Sequence, residues 1–363
     1  MELGIVGMPN VGKTTLFNAL TMAHAEVASY PFCTIDRNVG MVEVPEERLW
    51  KLSELLSSPK TTPTVIEFVD IAGLVKGASQ GEGLGNEFLG HIRNVDAIAH
   101  VVRCFEDENV AHVSARVDPV VDIDVVNSEL MAADLKTVEK RLERVSRAAK
   151  TGAKEVLEEA TFLEKLVDLL KSGTPVRETK LSEAEEKLMK EYQLLTRKSM
   201  LYVANISEDD LGNDDSPFLS EVRDTAQKHK AEVIVICAKL ESELAELELE
   251  ERKVFLAEMG LEQSGLEKLV VTSYNLLDLI TFFTANENEL RARTITRGTL
   301  APQAAGKVHS DMEQGFIRAE VIHYEDLIAA GSLKAAKDHG LMHLEGKEYV
   351  ARDGDMMYFR FQA

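Results

Sequence analysis

The sequence has few cysteines and no long apolar run. Its three cysteines, Cys33, Cys104 and Cys237, are far apart and follow no metal-ligand spacing, so we expect a reducing cytosol and no disulfide framework. The N-terminus lacks the basic and apolar segments of a signal peptide. No stretch reaches the roughly 18 consecutive apolar residues that a membrane-spanning helix needs. These absences predict a cytoplasmic protein without a membrane partner.

Basic residues are also scarce. The 363 residues include 41 Lys and Arg against 62 Asp and Glu, which gives a formal net charge of −21. This balance argues against DNA as a partner and against RNA binding through overall charge, because both are polyanions. Contact with RNA would need a local basic patch. The length predicts more than one domain, and nothing in the sequence requires more than a monomer.

A complete phosphate-binding motif lies near the N-terminus. It runs from Gly7 to Thr14 as Gly-Met-Pro-Asn-Val-Gly-Lys-Thr, between a predicted strand at 2–7 and a predicted helix that begins near Thr14. Such a loop cradles phosphates with its backbone N–H groups and with the helix N-terminus. Lys13 is expected to reach the β- and γ-phosphates and to act in catalysis, and the Thr14 hydroxyl is expected to ligate Mg²⁺. The expected phosphate-binding residues are Asn10, Val11, Gly12, Lys13, Thr14 and Thr15.

Asn10 has two interpretations. Its side-chain oxygen stands where some P-loop NTPases bind a monovalent cation such as K⁺ beside the phosphates. Alternatively, Asn10 supports the turn, because asparagine tolerates unusual backbone conformations.

The second nucleotide motif is Asp70-Ile-Ala-Gly73, at the end of a predicted strand over 64–70. Asp70 is expected to hold Mg²⁺ through water, and the Gly73 amide to sense the γ-phosphate. Between the two motifs, Thr34 is the candidate for a switch threonine whose hydroxyl also binds Mg²⁺. The predicted metal-binding residues are therefore Thr14, Thr34 and Asp70.

The residue after the second motif is Leu74. Ras-like enzymes place there the glutamine that orients the attacking water, and leucine cannot do this. Hydrolysis must use another group or be slow until a partner acts. His112, in the loop after a predicted strand at 97–102, is the candidate catalytic residue, although a lone histidine in a loop is more often an ordinary surface residue.

The base-reading motif departs from the guanine-binding sequence Asn-Lys-x-Asp. Here it reads Asn205-Ile206-Ser-Glu208, followed after another predicted strand by Cys-Ala238-Lys239. In the guanine motif the Asp accepts bonds from the base and the Lys stem covers the ring. Ile206 cannot replace that Lys, and the Glu208 side chain is one methylene longer. The pattern favours ATP over GTP, with the Asn205 amide bonding adenine N7 and a carbonyl near Ile206 accepting from N6.

In their order, these motifs resemble the YchF family of Obg-like ATPases. The likeness extends to Tyr-Pro-Phe-Cys-Thr-Ile at 30–35, to the segment 68–78 and to Ala-Pro-Gln-Ala-Ala-Gly-Lys at 301–307. The resemblance implies ATP hydrolysis, a hydrophobic residue in place of the catalytic glutamine, and association with the ribosome or with ribosomal RNA or protein. It also favours the catalytic interpretation of His112.

Two further regions complete the expected organisation. Apolar residues at 135, 138, 142 and 145 repeat with coiled-coil spacing, and a second apolar helix pattern follows at 163–170. The basic residues beside the first seam could face RNA, or they could form a solvated face with partners such as Glu139 and Glu143. They are Lys136, Lys140, Arg141, Arg144, Arg147 and Lys150. After 281, short β-rich runs predict strands at 281–285, 290–296, 316–322 and 356–361, in a region that resembles a TGS domain and could dock a partner or simply pack.

The expected fold class is α/β. It combines a P-loop NTPase (Ras-like G domain) with an inserted antiparallel coiled-coil helical arm and a C-terminal β-grasp TGS domain. The nucleotide-binding domain is expected over 1–278, discontinuous as about 1–120 and 196–278, with the arm at 121–195 and the TGS domain at 279–363. The expected function is that of an ATP-binding and slowly hydrolysing switch at the ribosome. A GTP-binding switch, or an RNA- or ribosome-binding module that uses nucleotide for stability, is the alternative.

Overall fold

Strands and helices alternate along most of the chain. The structure is a computed structural model that describes residues 1–23, 39–71, 73, 84–108, 110, 116–149, 153–213 and 216–362. The strands are β1 (Glu2–Val6), β2 (Val39–Glu43), β3 (Thr61–Thr62), β4 (Val65–Asp70), β5 (Ala97–Arg103), β6 (Ser199–Asn205), β7 (Glu232–Ile236), β8 (Leu279–Ala285), β9 (Leu290–Thr296), β10 (Phe316–His323), β11 (His343–Glu345) and β12 (Asp355–Phe361). The helices are α1 (Lys13–Ala23), α2 (Glu47–Leu56), α3 (Leu84–Asn94), α4 (Pro119–Ala149), α5 (Lys154–Lys171), α6 (Glu183–Tyr192), α7 (Pro217–His229), α8 (Ala238–Ala245), α9 (Leu249–Glu258), α10 (Gly265–Leu276), α11 (Ala301–Gly306), α12 (Ser310–Gln314), α13 (Tyr324–Ala330) and α14 (Leu333–Asp338). Single 3-10 turns lie at Val176–Glu178, Leu195–Arg197 and Glu208–Asp210.

The chain packs as two compact units. The first contains Met1–Gly40 and Glu67–Lys268, and the second contains Met41–Ile66 and Leu269–Ala363.

The strands β1, β5, β6 and β7 of the first unit belong to a six-stranded sheet with the order β2-β4-β1-β5-β6-β7. The pairs β1/β4, β1/β5, β5/β6 and β6/β7 are all parallel. Every residue of β5 is buried, as is β6 after its first residue. These central strands therefore consist of nearly continuous apolar runs, as strands covered on both faces do. The strands predicted from the sequence in this unit are confirmed to within two residues.

Parallel pairing brings the carboxyl ends of these strands to one edge of the sheet. The loops after β1, β4, β5, β6 and β7 all begin at that edge. Ligands of open parallel α/β sheets bind there, because the connecting loops and helix N-termini meet outside the strand ends. The predicted motifs follow four of these five strands.

The region between β5 and β6 forms the predicted pair of long helices. The side chains of Val138 and Val145 on α4 share one buried apolar cluster with Leu163, Leu166 and Leu170 on α5. Leu135 and Leu142 pack against the same cluster, so the apolar seam expected from the sequence lies at the contact between the two helices. The expected break at 151–152 lies outside the described residues, and α5 ends at Lys171.

A buried carboxylate fastens α4 to the chain that returns toward β6. Both oxygens of Asp134 accept hydrogen bonds, one from the Leu195 amide at 2.8 Å and the other from the Thr196 amide and hydroxyl at 2.7 Å each. Burial raises the pKa of Asp134, although these hydrogen bonds oppose the rise. The carboxylate thus supplies acceptors for two backbone amides where the chain leaves the helical pair for β6.

Acidic partners occupy part of the basic face on α4. Arg141 pairs with Glu159 at 2.7 Å, and Arg147 pairs with Glu143 one helical turn away. Glu139 pairs with Lys171 of α5 at 3.0 Å. These ion pairs favour the solvated-face interpretation for Arg141 and Arg147.

The second unit contains a mixed sheet with the order β11-β10-β12-β8-β9-β3. Pairs β10/β11, β10/β12 and β8/β9 are antiparallel, whereas β12/β8 and β3/β9 are parallel. One buried cluster contains Phe282 and Met357, and a second contains Phe283 and Met356. Neighbouring residues of a strand point to opposite faces, so the two clusters lie on opposite faces of this sheet. The first cluster also contains residues of α11 and the second contains residues of α2, so helices pack on both faces. The four strands predicted after residue 281 are confirmed.

Residues 41–66 differ from the expected organisation. The sequence placed them in the nucleotide-binding domain, but in the structure they pack with the C-terminal unit. Leu49 and Leu52 of α2 are fully buried in the cluster around Phe283, and Arg48 pairs with Asp353 at 2.7 Å. The reason is tertiary: the apolar face of α2 finds its complementary surface more than 200 residues further along the chain.

Within the described ranges, no helix is both long enough and apolar enough to cross a membrane.

Candidate nucleotide-binding site

The loop after β1 adopts a conformation that depends on its glycines. Gly12 has a φ of 95°, and Asn10 also lies in the left-handed region with a φ of 61°. A Cβ atom on Gly7 would lie 2.4 Å from the Val101 carbonyl oxygen, so no side chain fits there. The Leu16 amide donates to the Gly12 carbonyl at 2.9 Å and closes the first turn of α1. The loop therefore delivers the N-terminus of an 11-residue helix to the edge of the sheet.

Lys13 lies between the two phosphate-sensing motifs. Its side chain is only 7% exposed, and Nζ donates to the Met8 carbonyl at 2.6 Å. A Cβ atom on Gly73 would approach Nζ to 3.1 Å, so Gly73 lies directly beside the ammonium group. Burial lowers the pKa of Lys13 to about 8, and the nearby Asp70 carboxylate opposes that shift. The site therefore holds a cation that a triphosphate would stabilise.

Thr14 and Asp70 bring two oxygen ligands together. The Thr14 hydroxyl lies 3.5 Å from Asp70 Oδ2. Burial raises the pKa of Asp70, and Lys13 and the Thr14 hydroxyl counteract it. Over the described residues, no group of three or more His, Cys, Asp or Glu side chains forms a metal site. One hydroxyl and one carboxylate suit Mg²⁺, which usually takes its remaining ligands from water and phosphate.

A cavity of about 440 Å³ opens beside the phosphate-binding loop. It is lined by Asn10, Gly12, Thr15, Phe105, Glu106, Asp107, Val110, Asn205, Ile206, Ser207, Glu208, Asp209, Cys237, Ala238 and Lys239. The structure thus brings together around one cavity eight of the residues that the sequence predicts for nucleotide binding.

Asn205 connects three loops of this site. Its Nδ2 donates to the Val11 carbonyl at 2.9 Å, and its Oδ1 accepts from the Ala238 amide at 2.9 Å. Its side chain therefore joins the phosphate-binding loop to the loop after β7. One Nδ2 hydrogen and the oxygen are used in these bonds, which limits what the side chain can offer to adenine N7.

Ile206 and Glu208 occupy different environments. Ile206 is 4% exposed, and its amide donates to the Ile236 carbonyl at 2.9 Å. The Glu208 carboxylate pairs with Lys239 at 2.9 Å. The same pairing raises the pKa of Lys239. The carboxylate at the position of the guanine-reading Asp is therefore already in contact with a cation.

Sequence reasoning missed one wall of the cavity. Phe105, Glu106, Asp107 and Val110 all line it, yet none was predicted as a binding residue. Their position in the sequence could have indicated them, because they follow β5 and so lie at the same edge of the sheet as the recognised motifs. Two predicted residues, Thr34 and His112, lie outside the described residues, as does Leu74.

Triphosphate binding should weaken as the pH rises above about 8. The pKa of Lys13 is about 8 in the nucleotide-free protein, and bound phosphates favour the protonated ammonium. Below this pH, Lys13 is already charged and the affinity should be flat. Above it, binding must take up a proton, so the association constant falls by up to about tenfold per pH unit.

Calorimetry in two buffers of different ionisation enthalpy measures this proton uptake. We expect almost none near pH 7 and almost one proton per site near pH 9. Lys13→Arg is the control, because arginine stays charged at both pH values. Equal uptake by the wild-type protein at the two pH values would contradict the assignment.

Comparison with known proteins shows full-length relatives. The YchF-GTPase_C family model, described as a protein of unknown function, matches residues 279–362, and a model described as 50S ribosome-binding GTPase matches residues 2–133. The "Ribosome-binding ATPase YchF" of Bacillus subtilis is 56% identical over 365 residues, covering 99% of each chain. The protein of the same name from Escherichia coli O157:H7 is 50% identical over 360 residues, again covering 99% of each chain. The solved structure of the Schizosaccharomyces pombe YchF GTPase superposes with a TM-score of 0.91 at 37% identity, covering 99% of this chain and 97% of that one.

Proposed function

This chain belongs to the YchF family, and we propose that it is a ribosome-associated ATPase that hydrolyses ATP to ADP and phosphate. The observation that carries the proposal is the base-reading loop. Asn205 joins this loop to the phosphate-binding loop, and Ile206 and Glu208 replace the Lys and Asp of guanine-binding proteins. Two relatives at 56% and 50% identity are named ribosome-binding ATPases.

The cavity favours adenine because it does not offer the carboxylate that guanine needs. Guanine needs a carboxylate that accepts from N1–H and from the N2 amino group together. Glu208 is paired with Lys239, and Ile206 offers an apolar side chain where a lysine stem would lie. Adenine needs only an acceptor for N6, which a carbonyl near Ile206 would supply, and a donor for N7. Asn205 has a second Nδ2 hydrogen for N7 beside the one it gives to the Val11 carbonyl.

The phosphates would lie against the loop from Gly7 to Thr14. Its N–H groups and the N-terminus of α1 attract the negative charge, and Lys13 neutralises charge that develops on the β- and γ-oxygens. Mg²⁺, when bound, would supply positive charge that offsets the charge of the phosphates. Thr14 and Asp70 would hold the ion, and Thr34 is the proposed third residue. Gly73, beside Lys13, would report the γ-phosphate to the segment that follows it.

Hydrolysis would not use the residue after Gly73. Leu74 has no group that orients water, so we assign that task to His112. Turnover by the isolated protein is then expected to be slow, with a partner completing the site. Asn10 is the proposed residue for a K⁺ ion beside the phosphates, or it serves the turn alone through its positive φ.

The remaining regions would carry the nucleotide signal. In this proposal, the helical pair within 121–195 and the C-terminal domain at 279–363 contact ribosomal RNA or protein, and the protein acts as a cytoplasmic monomer. The nucleotide-dependent ordering of the segments around Thr34 and Gly73 would alter these contacts on hydrolysis.

Titration with non-hydrolysable ATP and GTP analogues in Mg²⁺ buffer tests the base preference. The wild-type protein should bind the ATP analogue more tightly by roughly tenfold or more, a difference of at least about 1.4 kcal/mol. The double variant Ile206→Lys, Glu208→Asp should shift the preference toward GTP. Glu258→Asp, in an exposed part of α9, is the matched control. Stronger GTP binding by the wild-type protein would refute the ATP assignment.

Ribosome association is tested separately. Purified ribosomes should co-sediment with the ATP-bound protein and raise its hydrolysis rate. The exposed Glu258→Asp control should show both effects as the wild-type protein does. The absence of both effects with the wild-type protein would refute this part of the proposal.

A further inference from the structure

Arg103, the last residue of β5, is a buried charged residue to which the proposed mechanism gives no role. It is 1% exposed and comes first by residue volume among the fully buried residues of the described part of the chain. Burying a guanidinium is costly unless its donors are hydrogen-bonded. The position therefore calls for an explanation beyond packing.

All hydrogen bonds that the described structure shows for this guanidinium go to one loop. Nε donates to the Phe105 carbonyl at 3.1 Å, Nη1 to the Val110 carbonyl at 3.0 Å, and Nη2 to the Asp107 carbonyl at 3.3 Å. The centre of the guanidinium also lies 4.6 Å from the centroid of the Phe105 ring. Because a guanidinium is planar and rigid, three carbonyls bonded to it are held in one relative arrangement.

The loop held in this way is the wall of the cavity that sequence reasoning missed. Phe105 and Val110 line the cavity together with Ile206 and Ala238, which belong to the two base-reading loops. The wall has no strand pairing of its own, since β5 ends at Arg103. The Asp107 carbonyl also accepts from the Val110 amide at 3.2 Å, so the loop has a turn of its own, and the guanidinium ties this turn to Phe105.

We propose that Arg103 is a positioning residue that fixes Phe105, Asp107 and Val110 as the base-facing wall of the nucleotide cavity. It would not touch the nucleotide. Arg103 would affect nucleotide binding through Phe105. The Phe105 ring contacts the guanidinium, and Phe105 lines the cavity. The inference rests on the proposed function only in requiring that the cavity accepts a nucleotide base.

The test separates base binding from phosphate binding. Arg103→Met and Arg103→Lys are titrated with a non-hydrolysable nucleotide analogue and with Mg²⁺-tripolyphosphate, which has no base. Nucleotide affinity should fall by roughly tenfold in Arg103→Met, because the wall must then be ordered on binding. Arg103→Lys should show an intermediate loss, since an ammonium keeps the charge but lacks the planar fork. Tripolyphosphate affinity should stay within about twofold of the wild-type value.

Arg223→Met, an exposed arginine change on α7, is the matched control and should alter neither affinity. An equal loss for nucleotide and tripolyphosphate, or unchanged nucleotide affinity, would overturn the proposal. If Arg103→Met does not fold, hydrogen exchange on Arg103→Lys decides. Exchange should rise in the segment 104–110 and not in the phosphate-binding loop, and unchanged protection of 104–110 would overturn the proposal.

This comparison stays distinct from the test of the proposed function. If the wild-type protein prefers GTP, the ATP assignment fails. The Arg103 experiment is then run with the GTP analogue, and its outcome still depends only on the presence of a base.

Discussion

Replacing Lys13 by methionine should lower the ATPase rate at saturating nucleotide by about 10²–10³-fold. Lys13 is the buried cation of the site, with Nζ beside Gly73 and 2.6 Å from the Met8 carbonyl. Methionine has a similar length but no charge, so it cannot neutralise the charge that develops on the transferred phosphoryl group. The measurement is phosphate release under single-turnover conditions, with nucleotide in large excess over the dissociation constant.

The same substitution should not destabilise the nucleotide-free protein. Burial lowers the pKa of Lys13 from 10.5 to about 8. At neutral pH the group is charged in both the folded and the unfolded states, so the folded state carries the cost of the buried ammonium. Removing it should raise the free energy of unfolding by up to about 3 kcal/mol, and this gain should shrink as the pH rises from about 8 to about 10.5.

Lys253→Met is the matched control for both measurements. Lys253 is exposed on α9, where it pairs with Glu250, and its loss should change neither hydrolysis nor stability appreciably. Hydrolysis by Lys13→Met within tenfold of the wild-type rate would remove Lys13 from the catalytic assignment.

Asn205→Ala should weaken both nucleotide binding and the nucleotide-binding unit itself. The substitution removes the acceptor of the buried Ala238 amide and the donor to the Val11 carbonyl. Leaving a buried backbone group unpaired costs about 1–3 kcal/mol. We therefore expect a fall of about 2–3 kcal/mol in the free energy of unfolding and a loss of about 10- to 100-fold in nucleotide affinity.

Asn205→Asp distinguishes the two hydrogen bonds. The carboxylate still accepts from the Ala238 amide, but its second oxygen faces the Val11 carbonyl, where a donor is needed. It should therefore lower nucleotide affinity at least as much as alanine does. Asn275→Ala, exposed on α10, serves as the control. Urea unfolding and calorimetric titration measure the two effects, and wild-type values for both Asn205 variants would show that the link between the loops has no energetic weight.

Much of the site was predictable because its motifs are local. The phosphate-binding loop combines glycines, a lysine and a threonine within eight consecutive positions, flanked by an apolar strand and a helix. Its conformation depends mainly on residues that are neighbours in the chain. The same holds for the apolar seam on α4 and for the strands after residue 281, whose periodicity is visible in short windows. The predicted roles of Thr34 and His112 stay predictions.

The hydrogen bonds of Asn205 could not be predicted from the sequence. Its position in the base-reading motif was recognised, and a bond to adenine was expected. The structure shows that its amide joins Val11 and Ala238, residues that lie 194 and 33 positions away. Motif comparison identifies the residue, but it does not reveal which backbone groups the fold leaves beside it.

The sequence by itself determined the phosphate-binding motif, the strands that precede the nucleotide motifs, the paired long helices, and the departure from the guanine-binding motif, because each depends on residue types at short spacing. Only the tertiary structure decided that 41–66 pack with the C-terminal unit, that Asn205 joins two loops, and that Arg103 donates to the Phe105 carbonyl. These features depend on which buried surfaces and unpaired backbone groups meet when the sheets form. Such contacts join distant positions, leave no periodic pattern in the sequence, and arise because a buried polar group must find a partner wherever the fold provides one.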